Sequence, residues 1–329
     1  MFRLFKKKEK KGKLAVLGHE GNDLERLVFA QGEDIPRRAN GTWYRGEHTN
    51  FIASKKNLAE KDAVQKYILK GWEPERPFIT KQDVITAFGS CFAEHITNHL
   101  HCRGYNIMAR NLSVHSHVIR FGEGMVNTYA IRQQFEWAYE NKSFSDDLWH
   151  DSSGRIVEYN ERVRAETQKI FEETEVFILT LGLSEVWHNK KTGEVFWRAI
   201  PKDQFNPDVH GFRVTTVEEN LQNLAEIYGI IRKHRPSSTI VITLSPVPLV
   251  ATFRPVSCMT ANSVSKAILR VAVDELIRMH QGDKKLFYFP SYEIVKEYIK
   301  DPYEDDNRHV RKEVVKTIMT TFEHAYCVG

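Results

Sequence analysis

From residue 81 onward the chain alternates short apolar runs with longer amphipathic stretches. DVITAF (83–88), YNIMAR (105–110), EVFILTL (175–181), TIVITL (239–244) and KLFYF (285–289) are brief, β-branched or aromatic, and bounded by polar or turn-forming residues. EVFILTL and TIVITL lack alternating polar positions, the pattern of strands buried on both faces. Helical periodicity fills the gaps at 92–102, near 160–173, and at 217–235, 263–280 and 309–326. In the third of these, Leu221, Leu224, Ile227 and Ile231 share one face, and Thr216 with Glu219 has the form of a capping box. In the last, Val310, Val314, Ile318 and Phe322 recur every four residues. Strand–helix alternation of this kind predicts an α/β domain built on a parallel sheet.

Two segments interrupt the alternation. NKSFSDDLWHDSSGRIVEYN (141–160) is polar and loop-like, and VWHNKKTGEVFWRAI (186–200) predicts a β-hairpin turning at Lys191-Thr192-Gly193. Across that hairpin Trp187 and Trp197 form either a supporting pair or a platform for a sugar ring. Residues 1–80 are more polar and predict an N-terminal extension to a domain at 81–329, with a short helix at 56–72 ended by Gly71. A cluster of Arg37, Arg38, Trp43, Tyr44 and Arg45 either anchors this extension or contacts ligand.

Composition narrows the class. At 329 residues with 41% hydrophobic and 27% charged residues, the chain has ample material for a core. A formal net charge of +4 is too small to indicate nucleic acid. The four cysteines form no C-x-x-C pair and no grouping with zinc spacing, so reduced thiols and a cytoplasmic setting are expected. His95 and His99, four apart, lack a third ligand in the sequence, and FGEGMV is an incomplete dinucleotide fingerprint. Neither metal nor cofactor is expected. The start, MFRLFKKKEKKGK, reads as a solvated tail, and its lysines are also compatible with weak contact to an anionic membrane surface.

Candidate chemistry sits at the two ends of the predicted sheet. FGSCFAEHI (88–96) follows the first strand: Gly89 permits a tight turn, and Ser90 stands at the strand's carboxyl end where a helix begins. That places a hydroxyl near backbone N–H groups able to face an oxyanion. Cys91 is a rival nucleophile, and a small turn residue is the plain alternative for Ser90. DDNRHV (305–310) supplies Asp306 and His309 in D-x-x-H spacing, a carboxylate able to orient an imidazole base. His115 and His117 lie in a loop leading to Gly124 and read as solvated.

The stretch FGSCFAEHI resembles the signature of the GSCFA family, which is similar to the SGNH, or GDSL-like, esterases and acyltransferases. TLGLSEVW (180–187), TLSPVPLVATF (243–253), YFPSYEIV (288–295) and the closing D-x-x-H resemble further blocks, covering about residues 83–325. The resemblance implies a flavodoxin-like (SGNH-type) three-layer α/β/α sandwich with a mostly parallel five-stranded sheet. It implies Ser90 as nucleophile, His309 as base and Asp306 as its partner. It further implies Gly124 as an oxyanion donor, with Gly122 as competitor. Where the related G-x-N block carries Asn, this chain has Ser184, so either Ser184 or Asn127 must supply that donor. Glu185 is read as structural or as a substrate contact. The expected activity is that of a serine esterase or O-acyltransferase acting on an acylated carbohydrate or glycoconjugate, with a small-molecule or carbohydrate ester as the expected partner and no nucleic acid. A non-catalytic glycan- or protein-binding module on the same scaffold is the alternative, favoured by the missing Asn; a membrane-peripheral assembly factor is a third reading.

Overall fold

A computed structural model describes residues 26–31, 35–40, 48, 50–108, 115–120, 124–145, 148–151, 153–157 and 160–328. The basic tail, the side chains of the Arg37–Arg45 cluster and Gly122 lie outside the described residues. The chain divides into two compact units, Met1–Ile68 and Leu69–Gly329.

In the first unit, β1 (Arg26–Gln31) and β2 (Ile35–Asn40) pair antiparallel. Of the helix predicted over 56–72, a 3₁₀ turn forms at Asn57–Ala59 and a helical stretch over 63–69, π-helical at Gln65–Leu69, runs across the boundary of the two units and is followed by Gly71 at φ +83°.

The second unit carries a sheet of four parallel strands: β3 (Ile85–Gly89), β4 (Val176–Leu181), β7 (Thr239–Leu244) and β8 (Leu286–Phe289), in that spatial order. Strands β3, β4 and β7 are buried at every position, as their unbroken apolar character requires. The expectation of one five-stranded sheet in a flavodoxin-like sandwich is not met. YNIMAR contributes one parallel bridge, Ile107 to Ile85, with Ile85 N–H donating to Asn106 O at 3.0 Å. A single bridged residue makes no strand among the described residues. The remaining ladder is a separate antiparallel pair, β5 (Glu185–Asn189) with β6 (His210–Val214).

The predicted hairpin at 186–200 is likewise corrected. Its turn forms, with Gly193 N–H donating to Asn189 O, but the returning chain touches β5 only around the His188–Val195 bridge. It then dives inward. Trp197 is fully buried and stacks on Trp149 at 4.9 Å, so β5 takes β6 as its partner. Trp187 instead meets Phe205, Phe212 and Phe253, and the two tryptophans do not form the expected pair.

Helices α1 (Phe92–Cys102), α2 (His117–Arg120), α3 (Thr128–Glu140), α4 (Glu161–Glu173), α5 (Val217–His234), α6 (Cys258–Met279), α7 (Ser291–Glu293) and α8 (Lys312–Tyr326) surround the sheet. The period-2 alternation of strands sorts the core. Phe88, Phe177, Leu179, Ile240 and Ile242 pack with residues of α3, α4, α5 and α6. On the other side Phe289 meets Phe322 of α8 at 5.1 Å. Helix α5 begins with the anticipated box: Thr216 Oγ1 accepts from Glu219 N–H while Thr216 N–H donates to Glu219 Oε2. Helix α3 has no counterpart in the sequence pattern, because Gln133, Gln134 and Glu136 are buried beside Phe135 and Trp137 and blur the apolar stripe. Gln133 earns its place there by donating to Val195 O and accepting from Trp149 Nε1–H. No helix among the described residues is long and apolar enough to cross a membrane.

Gly89 has φ +130°, and a Cβ there would stand 2.1 Å from Thr180 O. Gly89→Ala is therefore expected to cost roughly 3 kcal/mol or more. Gly229, inside α5 with nothing within 4 Å, is the control; Gly229→Ala should stabilise by about 0.5–1 kcal/mol. Urea unfolding of both variants checks the pair.

Candidate functional site

The carboxyl edge of the sheet ends inside the protein, and its backbone groups need partners. Polar side chains supply them. Thr243 Oγ1 and Ser291 Oγ bond to each other at 2.7 Å and to Phe289 O and Leu244 O. Ser265 Oγ accepts from Ser184 N–H at 2.8 Å. Lys266, on the inner face of α6 and 1% exposed, donates from Nζ to Gly182 O at 2.7 Å and to Ser245 O at 2.8 Å. One buried ammonium thus ties the loop after β4 to the loop after β7. Burial pulls it down from the ordinary lysine range to about 7; Cys91 opposes this and Arg308 adds to it.

Ser90 follows β3 at this edge. Its N–H donates to Thr180 O at 2.8 Å and to Thr180 Oγ1 at 2.7 Å. Its hydroxyl donates to Thr180 Oγ1 at 3.2 Å and accepts from Phe92 N–H at 3.3 Å. The residue is 2% exposed. Beside it, burial pushes the Cys91 thiol up, against the pull of the Arg308 and Lys266 charges.

Asp306 and His309 sit on a short hairpin tip whose geometry is local. Tyr303 and Val310 bridge antiparallel, Glu304 N–H donates to His309 O at 2.8 Å, and Asn307 turns the chain with φ +54°. Asp306 Oδ1 accepts from the N–H groups of Arg308 and His309 at 3.0 and 2.9 Å, and Asp306 Oδ2 bonds His309 Nδ1. Those two backbone donors, then the imidazole, hold the Asp306 carboxyl down at about 2. Tyr303 Oη donates to Pro246 O at 3.1 Å and fastens the hairpin to the loop after β7. The tip also reaches α1. His95, one turn past Ser90, is held below the ordinary histidine range by burial and, to a lesser degree, by the His309 charge, with Glu94 opposing.

The structure therefore brings the Asp306–His309 hairpin to the same edge as Ser90, where its Arg308 and His309 act electrostatically on Cys91 and His95, which follow Ser90 in the chain. It does not join them: among the described residues no hydrogen bond links Ser90 to His309. His309 Nε2 instead lies 3.2 Å from Arg308 Nη1.

The remaining predicted residues fall as follows. Gly124 is half-buried and packs against Arg198, whose Nη2 would stand 1.6 Å from a Cβ there. Asn127 caps α3, its Oδ1 accepting from Ala130 N–H, while its Nδ2 donates to Phe196 O and Trp197 O. Ser184 is fully buried, and its Oγ has no hydrogen-bond partner among the described residues. Glu185 accepts from Thr252 Oγ1 at 2.7 Å and pairs with Arg254 at 3.7 Å. His117 is buried, not solvated: it stacks on Trp137 at 5.5 Å and meets Trp149 and Trp197 edge-on. His99 bonds Glu323 of α8 at 2.9 Å.

Sequence reasoning missed Thr180, Lys266 and Arg308. Only Lys266 left a signal. It shares the inward stripe of α6 with Leu269, Val273 and Leu276, a lysine where an apolar residue is expected. A cleft of ≈ 860 Å³ lies elsewhere, at the amino ends of the strands, between Asp83, Glu175, Thr239 and Leu286. It contains none of the candidate residues.

The family model described as the GSCFA family matches residues 84–322, which span the strands, the Ser90 turn and the Asp306–His309 hairpin. The chain belongs to the GSCFA family. None of the curated proteins matches it. Among solved structures this GSCFA protein is similar to a carbohydrate esterase family 3 structure from Talaromyces cellulolyticus, at 9% identity and TM-score 0.35, covering 73% of this chain and 94% of the other. It is similar to a structure named for a platelet activating factor, from Streptococcus pneumonia, at 12% identity and TM-score 0.38, covering 82% and 91%. An acetyl xylan esterase from the rumen bacterium Butyrivibrio proteoclasticus matches at 14% identity and TM-score 0.21, covering 45% and 37%. Likeness at this level carries no argument about chemistry.

The buried ammonium gives a test of the edge. The unfolded chain keeps the Lys266 proton up to about 10.4, whereas the folded protein releases it near 7. Between those values the unfolded state binds more protons. The wild type should then gain stability relative to Lys266→Met as pH rises from about 7 to about 10, by up to roughly 1.4 kcal/mol per pH unit. Urea midpoints of both proteins across that range measure it. A constant difference would mean that burial leaves this lysine unshifted.

Proposed function

We propose that this GSCFA protein is a serine-dependent, SGNH-like esterase or O-acyltransferase acting on an acylated carbohydrate or related small ester. The observation that carries the reading is the pair formed by Asp306 and His309, aimed by its own backbone and fastened through Tyr303 to the carboxyl edge of the sheet that also carries Ser90. An ionised carboxylate on Nδ1 fixes the tautomer that leaves Nε2 as the base. In the proposed reaction, Ser90 Oγ gives its proton to His309 Nε2 and bonds to the ester carbonyl carbon. The tetrahedral oxyanion collapses, the C–O bond to the leaving alcohol breaks, and the imidazolium returns the proton to that alcohol. Water or a sugar hydroxyl then attacks the acyl-Ser90 with His309 again taking the proton, the acyl–Oγ bond breaks, and the imidazolium returns that proton to Ser90 Oγ. Ser90 must first turn away from Thr180. The carbohydrate assignment draws support from the aromatic group of Trp187, Phe205, Phe212 and Phe253 next to Glu185, a surface on which a sugar ring can stack.

The second reading, a binding module without acyl chemistry, is favoured by one specific observation: the Ser90 hydroxyl is buried and already occupied by Thr180 and the Phe92 N–H. A fluorophosphonate probe separates the two. Labelling is expected in the wild type and absent in Ser90→Ala, and His309→Ala and Asp306→Asn should slow ester cleavage by on the order of 10²–10⁴-fold. Absence of labelling would favour the binding module, and labelling that survives Ser90→Ala would overturn Ser90 as the nucleophile.

A further inference from the structure

The hairpin tip carries a cation that the acyl chemistry leaves unused. Arg308 lies beside the candidate base: its Nη1 is 3.2 Å from His309 Nε2. With Nδ1 on the Asp306 carboxylate, Nδ1 holds the hydrogen and Nε2 presents a lone pair, to which the guanidinium N–H donates. The base is thereby capped. A second feature of the same side chain points to a ligand. Arg308 Nε is buried, and among the described residues it has no hydrogen-bond partner. A buried charged donor without an acceptor is unfavourable, and buried polar groups are otherwise paired almost without exception.

The surroundings define the missing acceptor. A guanidinium edge matches two oxygens in one plane, as a carboxylate or a phosphate presents them. The nearby charges favour the smaller anionic charge. Lys266 already donates to two carbonyls, and the ionised Asp306 stands in the same tip. One unpaired cationic N–H beside a fixed carboxylate suits a monoanion better than a dianion.

We propose that Arg308 recognises a carboxylate on the substrate, and that this carboxylate draws the guanidinium off His309 Nε2, so that the base is released only by an ester bearing such a group. The inference deepens the esterase reading and rests on it for the release step. Anion binding itself does not depend on that reading.

Two measurements on the full chain test it. In the first, the histidine ring signals are followed by NMR as acetate or inorganic phosphate is added, with His309→Gln identifying the His309 signal. Acetate is expected to shift that signal saturably in the wild type, weakly in Arg308→Lys and not at all in Arg308→Gln. No shift with either anion would overturn the proposal, and tighter binding of phosphate would overturn the carboxylate assignment. In the second, ester cleavage is compared on p-nitrophenyl acetate and on a hemisuccinate ester. Arg308→Gln should lose roughly 10- to 100-fold in kcat/KM on the hemisuccinate and gain on the neutral ester, where the cap is gone. An unchanged ratio between the two esters would sink the gating role. Cleavage of neither ester by the wild type would remove the acyl reading, and with it the release step, while the NMR result still decides whether Arg308 is an anion site.

Discussion

The architecture of the candidate site follows from one constraint: a parallel sheet that ends inside the protein must satisfy its terminal backbone groups without water. Here the task falls to short hydroxyl side chains and one lysine. Thr180 receives the Ser90 N–H, Thr243 and Ser291 close the ends of β7 and β8, and Lys266 joins the carbonyls of Gly182 and Ser245. Removing any one of these partners leaves a buried peptide group unpaired, which is costlier than losing a surface contact. The edge is therefore rigid, and the loops leaving it are held in fixed relation.

Rigidity of this kind cuts two ways for chemistry. It presents Ser90 at a reproducible position, yet the same hydrogen bonds that hold the turn also engage its hydroxyl and its N–H. The Asp306–His309 hairpin is different. It is exposed, with His309 67% accessible, and its order comes from its own backbone and from the Tyr303 tether. A stiff, buried hydroxyl and a more accessible imidazole thus differ in how freely each can respond to a ligand. The contact of Arg308 with His309 Nε2 lies on the more accessible side.

Much of this was readable in advance, for identifiable reasons. The four strands of the sheet announced themselves because burial on both faces forces unbroken apolar runs, and α5 because its box and stripe are local in sequence. The GSCFA signature and the D-x-x-H pair were visible because each spans only a few residues. What failed were inferences about partners. YNIMAR has strand composition, yet among its described residues it pairs at Ile107 alone. VFWRAI follows a sound turn, yet Trp197 finds a better place against Trp149 than across from Trp187. His117 has the neighbours of a loop residue in sequence and three tryptophans in space.

The amino-acid sequence by itself determined the strand–helix alternation, the caps and turns, and which residue types stand at Ser90, Asp306 and His309, because each rests on interactions between residues close along the chain. Tertiary structure alone decided that the sheet has four strands among the described residues, that the Asn127 amide N–H groups go to the Phe196 and Trp197 carbonyls, and that Lys266 binds two loops together. Those outcomes depend on which groups far apart in sequence compete for one buried donor or acceptor, a competition settled only when the whole edge is assembled.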